Sequence, residues 1–198
     1  MATLLKIQSS LFNGHGQSSA LVDQFEQHWL SQNVGGQVIA RNLATEPVPH
    51  LDQSRFQALT TPAHQRTDAQ QAVVDYSDAL IAELIEADTI VLGVPMYNFS
   101  VPSVLRAYFD HIARSGVTFR YTAAGPEGLI KGKKVYVVIT RGGYYGEDHG
   151  QTQYLREFLA FIGINDVTFV YAEGLAISDE ARQKGLTAAS EQIAAIAA

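Results

Sequence analysis

The sequence has no cysteine among its 198 residues. This excludes disulfides, thiolate metal sites, iron–sulfur clusters and cysteine nucleophiles, so any redox activity would need a bound cofactor. Positive charge is also scarce: 14 Lys and Arg against 20 Asp and Glu give a net charge of −6. An acidic surface disfavours nucleic acid and anionic membranes as partners. The protein is therefore expected to bind small molecules or other proteins.

Long apolar runs are missing too. The segment 90–96 is among the longest, far below the ~20 residues that cross a bilayer. The first nine residues lack the apolar core and cleavage site of a signal peptide. The six histidines are scattered, without the spacing of metal ligands. We therefore expect a cytoplasmic protein with no metal site.

The sequence does contain short apolar runs that alternate with amphipathic segments, a pattern that predicts alternating strands and helices. Five strands are predicted at 4–7, 38–40, 89–95, 135–140 and 167–171. Five helices are predicted to start near 17, 67, 102, 155 and 179, the last running to 197, and segments 43–66 and 116–130 are expected to be irregular. The alternation predicts one doubly wound α/β domain over residues 1–198 with a parallel sheet. Five strands favour the flavodoxin-like order 2-1-3-4-5.

Ligands of such sheets bind beyond the carboxyl ends of the strands, where the strand order reverses. With this order, the first loop (residues 9–19), the second loop (95–100) and the third loop (140–150) should meet there. The first loop contains Ser10, Gly16, Gln17 and Ser18 directly before a predicted helix, and it has no Lys or Arg. A helix N-terminus offers free N–H groups to an anion, which predicts a phosphate site held by neutral donors. The alternative is that Ser18 only caps the helix.

The first loop does not match the known nucleotide motifs. Its G-x-G-x-x-G pattern fails because Ser19 replaces the last glycine, and G-x-x-x-x-G-K-[ST] is absent. A monophosphate is therefore expected rather than a pyrophosphate.

The second and third loops supply side chains and backbone suited to a flat ring. The candidates are Met96, Tyr97, Asn98 and Phe99 in the second loop, and Thr140, Arg141, Gly142, Gly143 and Tyr145 in the third. Each loop alone could be ordinary packing. At adjacent strand ends, they predict a slot for a planar heteroaromatic group whose phosphate lies in the first loop.

These motifs resemble those of the bacterial FMN-dependent NADH azoreductases, relatives of the NAD(P)H quinone reductases with a flavodoxin-like fold. The matching stretches cover nearly the whole chain: 17–18 (QS), 95–99 (PMYNF), 113–122 (ARSGVTFRYT), 125–129 (GPEGL), 141–143 (RGG) and 161–164 (FIGI). The combination of the second and third stretches is highly specific.

The resemblance implies FMN as cofactor, with its phosphate at Ser10 and 16–18 and its ring at 96–99 and 140–143. It also implies NADH or NADPH as electron donor, azo compounds and quinones as acceptors, and a homodimer with pocket walls that include Tyr121 and Phe161. Some members of that family have a histidine where this chain has Tyr145, so no imidazole is implied at this position.

The reaction implied is a two-electron ping-pong transfer of hydride, in which donor and acceptor use one slot in turn. The flavin would do the chemistry, so no protein nucleophile or catalytic base is predicted. The alternative is a flavodoxin-type one-electron carrier without enzymatic activity. A phosphate-binding module without flavin is a further, weaker alternative.

Overall fold

A computed structural model describes residues 1–12 and 15–196 of the chain. Positions 13 and 14 of the first loop, and 197 at the end of the predicted last helix, lie outside the described residues. The strands are β1 (Thr3–Gln8), β2 (Gln37–Asn42), β3 (Thr89–Pro95), β4 (Phe119–Thr122), β5 (Gly125–Gly128), β6 (Lys134–Thr140) and β7 (Asp166–Ala172). The α-helices are α1 (Gln17–Gln32), α2 (Gln53–Thr60), α3 (Asp68–Glu86), α4 (Ser103–Ile112), α5 (Gly150–Ile162) and α6 (Asp179–Ala194).

Five of these strands form a parallel sheet in the order β2-β1-β3-β6-β7. The parallel five-stranded sheet is confirmed. The predicted order 2-1-3-4-5 is corrected, because β4 and β5 form a separate antiparallel hairpin and the last two places in the sheet belong to β6 and β7. In this register Gln8 pairs with Gly93, and Pro95 pairs with Thr140. The carboxyl ends of β1, β3 and β6 therefore lie side by side.

The two segments expected to be irregular contain regular structure. Segment 43–66 includes α2 and a short 3-10 helix (Ala63–Gln65). The sequence of α2 has no apolar periodicity because the helix buries only Ala58. The helix start is capped by Asp52, whose side chain accepts a hydrogen bond from the Arg55 N–H at 2.8 Å. Local capping and contact with α3, rather than an apolar face, thus account for this helix.

Segment 116–130 contains the β4–β5 hairpin, whose β5 sequence, Gly-Pro-Glu-Gly, has low strand propensity. Its position depends on a close backbone approach between Gly128 and Gly163: a Cβ on Gly128 would lie 2.0 Å from the Gly163 nitrogen. Gly163 ends α5 with a φ of 105°, which glycine adopts readily. Two of the motif glycines therefore join the hairpin to α5.

Both faces of the sheet are covered by helices. One core cluster joins the sheet to α3, α4 and α5 through residues such as Leu80, Leu105 and Leu155. The second joins it to α1 and α6 through residues such as Phe25 and Ile193. The central strands are apolar on both faces for this reason. Within residues 1–12 and 15–196, no helix has both the length and the apolar character needed to span a membrane.

Candidate functional site

A cavity of about 160 Å³ lies at the carboxyl ends of β1, β3 and β6. Its lining residues are Ser10, Phe12, Gly16, Gln17, Ser18, Pro95, Met96, Tyr97, Thr140, Arg141, Gly142 and Leu175. The structure thus brings together residues predicted from all three loops. The predicted residues Asn98, Phe99 and Gly143 do not line the cavity but follow its lining residues along the chain.

The first loop presents the N-terminus of α1 to this cavity. Gly16 is the N-cap, and no side chain caps the helix, so the alternative that Ser18 caps it is wrong. The Ser18 hydroxyl oxygen is buried and has no hydrogen-bond partner among the described residues. The first-turn N–H groups of a helix have no partner within that helix either. This end of α1 is therefore a set of free neutral donors beside a cavity.

Close packing holds the first loop against the helix start. A Cβ on Gly16 would lie 2.1 Å from the Ser10 Oγ, so only glycine fits there without a shift. The Ser9 hydroxyl donates to the Gly93 carbonyl at 2.7 Å, which fixes the loop to β3. The Leu11 N–H donates to the Tyr97 hydroxyl at 3.3 Å, which links the first loop to the second.

The second loop makes a tight turn from Tyr97 to Ser100, closed by two backbone hydrogen bonds of 3.1 and 3.0 Å. Its central residues, Asn98 and Phe99, have φ values of 49° and 64°. This left-handed conformation is rare for a bulky residue and costs on the order of 1 kcal/mol. The Phe99 side chain is nevertheless 68% exposed. The turn therefore holds an aromatic ring in solvent at an energetic cost, as is typical of functional sites.

The third loop contributes backbone rather than charge, because the Arg141 side chain is fully buried and turned into the protein. Its guanidinium donates to Glu173 at 2.8 Å, to the Gly146 carbonyl at 2.7 Å, to Thr152 at 2.8 Å and to Gln151 at 3.1 Å. Arg141 was predicted to bind a ligand. In the structure its guanidinium faces away from the cavity, and its backbone is paired too: the N–H donates to the Ala172 carbonyl at 2.9 Å and the carbonyl accepts from the Leu175 N–H at 3.1 Å. Arg141 therefore lines the cavity without offering it a free donor.

The phenol of Tyr171 lies under the same guanidinium, 5.2 Å from the ring centroid to Arg141 Cζ. Burial raises the pKa of Tyr171, while its hydrogen bond with Thr152 and the charge of Arg141 act in the opposite direction. The phenol therefore stays neutral at physiological pH. It adds packing to the loop and no charge.

The predicted pocket residue Tyr145 lies beside the second loop. Its ring meets the Phe99 ring edge-to-face at 6.1 Å and the His149 ring at 5.1 Å. A Cβ on Gly143 would lie 3.1 Å from the Tyr145 ring, so the glycine leaves room for the ring to lie over the backbone. His149 in turn caps α5, since its Nδ1 accepts a hydrogen bond from the Gln151 N–H at 3.1 Å.

Tyr121 and Phe161, the other two predicted pocket residues, lie apart from this cavity. Both contact Phe119, with ring centroids 5.6 and 4.3 Å away. Tyr121 belongs to the hairpin and is 74% exposed, while Phe161 belongs to α5. Within one subunit these aromatic residues form a separate cluster.

Three lining residues and two residues that support the loops were not predicted from the sequence. Phe12, Pro95 and Leu175 line the cavity, and Glu173 and Gln151 bind the Arg141 side chain. Glu173 directly follows β7, so the rule that ligands bind at strand carboxyl ends would have pointed to it. Among the described residues, no group of three or more His, Cys, Asp or Glu side chains could hold a metal ion.

Comparison with known proteins identifies relatives along the whole chain. A family model described as flavodoxin-like fold matches residues 2–197. The FMN-dependent NADH:quinone oxidoreductase of Cellvibrio japonicus is 58% identical over 177 residues, which are 88% of this chain and 89% of that protein. Among solved structures, an azoreductase from Bacillus anthracis str. Sterne has a TM-score of 0.89 at 26% identity, covering 98% of this chain and 97% of the other. A second one, an FMN-dependent NADH-azoreductase from Bacillus anthracis str. Ames Ancestor in complex with FMN, has a TM-score of 0.85 at 26% identity, covering 98% of each chain.

Proposed function

Because the chain belongs to the flavodoxin-like family that includes FMN-dependent NADH:quinone oxidoreductases and azoreductases, we propose that it acts as such an enzyme. It takes electrons from NADH or NADPH and reduces quinones and azo compounds. FMN, when bound, supplies the two-electron chemistry. The protein binds the flavin, orients it and controls its electrostatic surroundings.

The single observation that carries this proposal is the buried hydroxyl of Ser18 at the cavity, which has no hydrogen-bond partner within residues 1–12 and 15–196. A buried hydroxyl without a partner costs about 1–3 kcal/mol, so its position at a cavity supports a ligand that accepts a hydrogen bond from it. A phosphate group fits this position, because its oxygens would accept hydrogen bonds from the Ser18 hydroxyl and from the N–H groups of the first helical turn. The 2.1 Å distance between a Cβ on Gly16 and the Ser10 Oγ supports a close-fitting cradle formed by these two residues.

The ring of the flavin would lie against the remaining lining residues of the cavity and extend beyond it. Met96 and Tyr97 give it an apolar and aromatic side, and Thr140, Arg141 and Gly142 line the other side. We propose that Asn98 and Gly143, next to these lining residues, complete the hydrogen bonds to the ring edge. No general base is required of the protein. The donor and the acceptor would occupy the same face of the ring in turn, beside Phe99 and Tyr145.

The assembly is proposed to be a homodimer of a single 1–198 domain. The cavity of about 160 Å³ is smaller than the ~300–1,000 Å³ of typical ligand sites, so a bound flavin would extend beyond it. The exposed Phe99 and Tyr121 rings support a second copy as the cover, with Tyr121 and Phe161 reaching the partner's site. Sedimentation analysis should give twice the chain mass; a monomer at micromolar concentration would contradict this.

Since the donor is an intracellular dinucleotide, we also propose a cytoplasmic location.

The test of the function uses the purified protein loaded with FMN. Under anaerobic conditions, NADH should bleach the yellow flavin within seconds, and a quinone or an azo dye should restore the colour. Parallel additions of NADPH measure the donor preference. A protein that binds FMN but is not reduced by either donor would support the one-electron carrier instead, which the names of the relatives do not favour. Failure to bind FMN would overturn both.

A further inference from the structure

We infer that Glu173 is a positioning residue of this site: through Arg141 it fixes the shape of the third loop and cancels a buried positive charge beside the flavin cavity. The inference rests on the proposed function, because the cavity is taken to hold FMN. Glu173 follows β7 and does not itself line the cavity. It therefore acts only through the residues that it contacts.

One carboxylate oxygen of Glu173 gathers three donors from the third loop. Its Oε1 accepts from the Arg141 guanidinium at 2.8 Å, from the Tyr145 N–H at 3.0 Å and from the Gly146 N–H at 3.1 Å. Tyr145 and Gly146 lie in an exposed segment outside any helix or strand. This carboxylate, rather than secondary structure, therefore holds the backbone of both residues. It thereby also fixes the position of the Tyr145 ring beside Phe99.

The same carboxylate balances a charge that has no access to solvent. The Arg141 side chain is fully buried, and among the described residues Glu173 is the acidic group that forms an ion pair with it. A buried charge is very costly without such a partner. Arg141 is one of the residues that line the cavity, so a change in the balance of this pair would act next to the position proposed for the ring.

Gln151 carries the effect of this pair to the second loop. The Oε1 of Gln151 accepts a hydrogen bond from Arg141 Nε at 3.1 Å, so the amide nitrogen of Gln151 points away from Arg141. That nitrogen donates to the Pro95 carbonyl at 3.4 Å and the Ser100 carbonyl at 3.3 Å. Ser100 closes the turn with the two left-handed residues. A continuous chain of hydrogen bonds thus joins the ends of β7, β6 and β3.

Loss of the Glu173 charge should shift the redox potential of the flavin in a defined direction. Reduced FMN carries more negative charge than oxidised FMN at neutral pH, and protein charges near the ring tune the equilibrium between them. When Glu173 loses its charge, the buried guanidinium of Arg141 is no longer balanced. The reduced flavin should then be favoured by about tenfold, which equals a rise of about 30 mV in the midpoint potential of a two-electron couple.

The experiment compares three variants loaded with FMN. Glu173→Gln removes the charge and keeps an acceptor of the same size. Glu83→Gln is the matched control, because Glu83 also forms a partly buried ion pair, with Arg41, and neither residue lines the cavity. The double variant Arg141→Gln/Glu173→Gln removes both charges. The midpoint potential is measured spectroscopically against a reference dye, and the FMN dissociation constant by flavin fluorescence.

The potential should rise by about 30 mV in Glu173→Gln, stay at the wild-type value in Glu83→Gln and return toward it in the double variant. An unchanged potential in Glu173→Gln, or an equal rise in Glu83→Gln, would overturn the charge role. If the wild-type protein binds no FMN or is reduced by neither NADH nor NADPH, the proposed function fails instead. The two failures are therefore distinct.

The positioning role has a second test that requires no flavin. In the wild-type protein, hydrogen exchange of the Tyr145 and Gly146 amides should be protected although this segment is exposed. In Glu173→Ala, these two amides should exchange at least about tenfold faster, while those of α3 keep their rates. Equal rates for Tyr145 and Gly146 in the two proteins would overturn the positioning role, whatever the potential shows.

Discussion

Replacement of Ser18 by Ala should have opposite effects on the flavin-free and the flavin-bound protein. Without FMN, the hydroxyl of Ser18 is buried and finds no partner in the described part of the chain, so its removal should raise the free energy of unfolding by about 1 kcal/mol. With FMN, the same hydroxyl is proposed to donate to the phosphate. A hydrogen bond to a charged group contributes about 1.5–3 kcal/mol, so FMN affinity should fall about 10- to 150-fold.

The matched control is another buried serine whose hydroxyl is fully used. The Ser77 hydroxyl donates to the His111 carbonyl at 2.6 Å and accepts from Arg114 at 2.8 Å. Its replacement by Ala removes the donor to the buried His111 carbonyl and one acceptor of Arg114, whose Nη1 keeps its bond to Asp78 at 3.1 Å. It should therefore lower the free energy of unfolding by about 1–3 kcal/mol. It should leave the FMN dissociation constant unchanged, since Ser77 does not line the cavity.

Both variants are measured in the same two assays. Urea denaturation of the flavin-free protein gives the free energy of unfolding, and quenching of FMN fluorescence gives the dissociation constant. Because FMN stabilises only the folded state, the melting temperature of the loaded Ser18→Ala protein should also respond less to added FMN. The reasoning is refuted if Ser18→Ala destabilises the flavin-free protein as Ser77→Ala does, or if its FMN affinity equals that of the wild type.

Three further predictions follow from single residues. Gly163→Ala should lower the free energy of unfolding by about 2–3 kcal/mol in urea denaturation, because φ is 105° and a Cβ would lie 2.7 Å from the Ile130 carbonyl oxygen; a loss below about 0.5 kcal/mol would contradict the contact. Phe99→Gly should not lower the free energy of unfolding, since glycine adopts the left-handed conformation without strain. The same change should slow quinone reduction. A loss of more than about 1 kcal/mol in the free energy of unfolding would contradict the expected relief of strain. Burial, with Arg55 and Arg114 nearby, lowers the pKa of His111, so stability should fall as the pH drops below about 6.5, where the unfolded chain takes up a proton that the folded chain resists. His111→Gln should flatten this dependence between about pH 7 and 5.5 in urea titrations; an unchanged slope would exclude His111 as its cause.

The main sheet and its helices were predictable because their periodicity reflects burial. The central strands β3 and β6 are buried on both faces and read as continuous apolar runs, while α3 repeats its apolar pairs at helical spacing. The elements that were missed have no such pattern. Helix α2 buries only Ala58, and the hairpin strand β5 consists of Gly, Pro and Glu. Their existence depends on capping and on contacts with distant parts of the chain.

At the site, the residue types of the three loops were predictable, whereas the direction of each side chain was not. Arg141 illustrates this, because nothing local shows that its guanidinium turns inward to Glu173, 32 residues away along the chain. Ser18 is the opposite case: its position near a helix start is equally consistent with capping or with ligand binding. Only the packed structure shows that its hydroxyl is buried and has no partner among the described residues.

By itself, the sequence determined the class of protein. Because cysteine is missing, any redox activity needs a bound cofactor. The alternation of apolar runs and amphipathic segments predicts a parallel α/β sheet, and the loop motifs resemble those of FMN-dependent azoreductases. The tertiary structure decided which groups are free to act. Burial and hydrogen bonding are properties of contacts between distant segments, so only the fold could assign the Arg141 side chain to Glu173 and leave the Ser18 hydroxyl available.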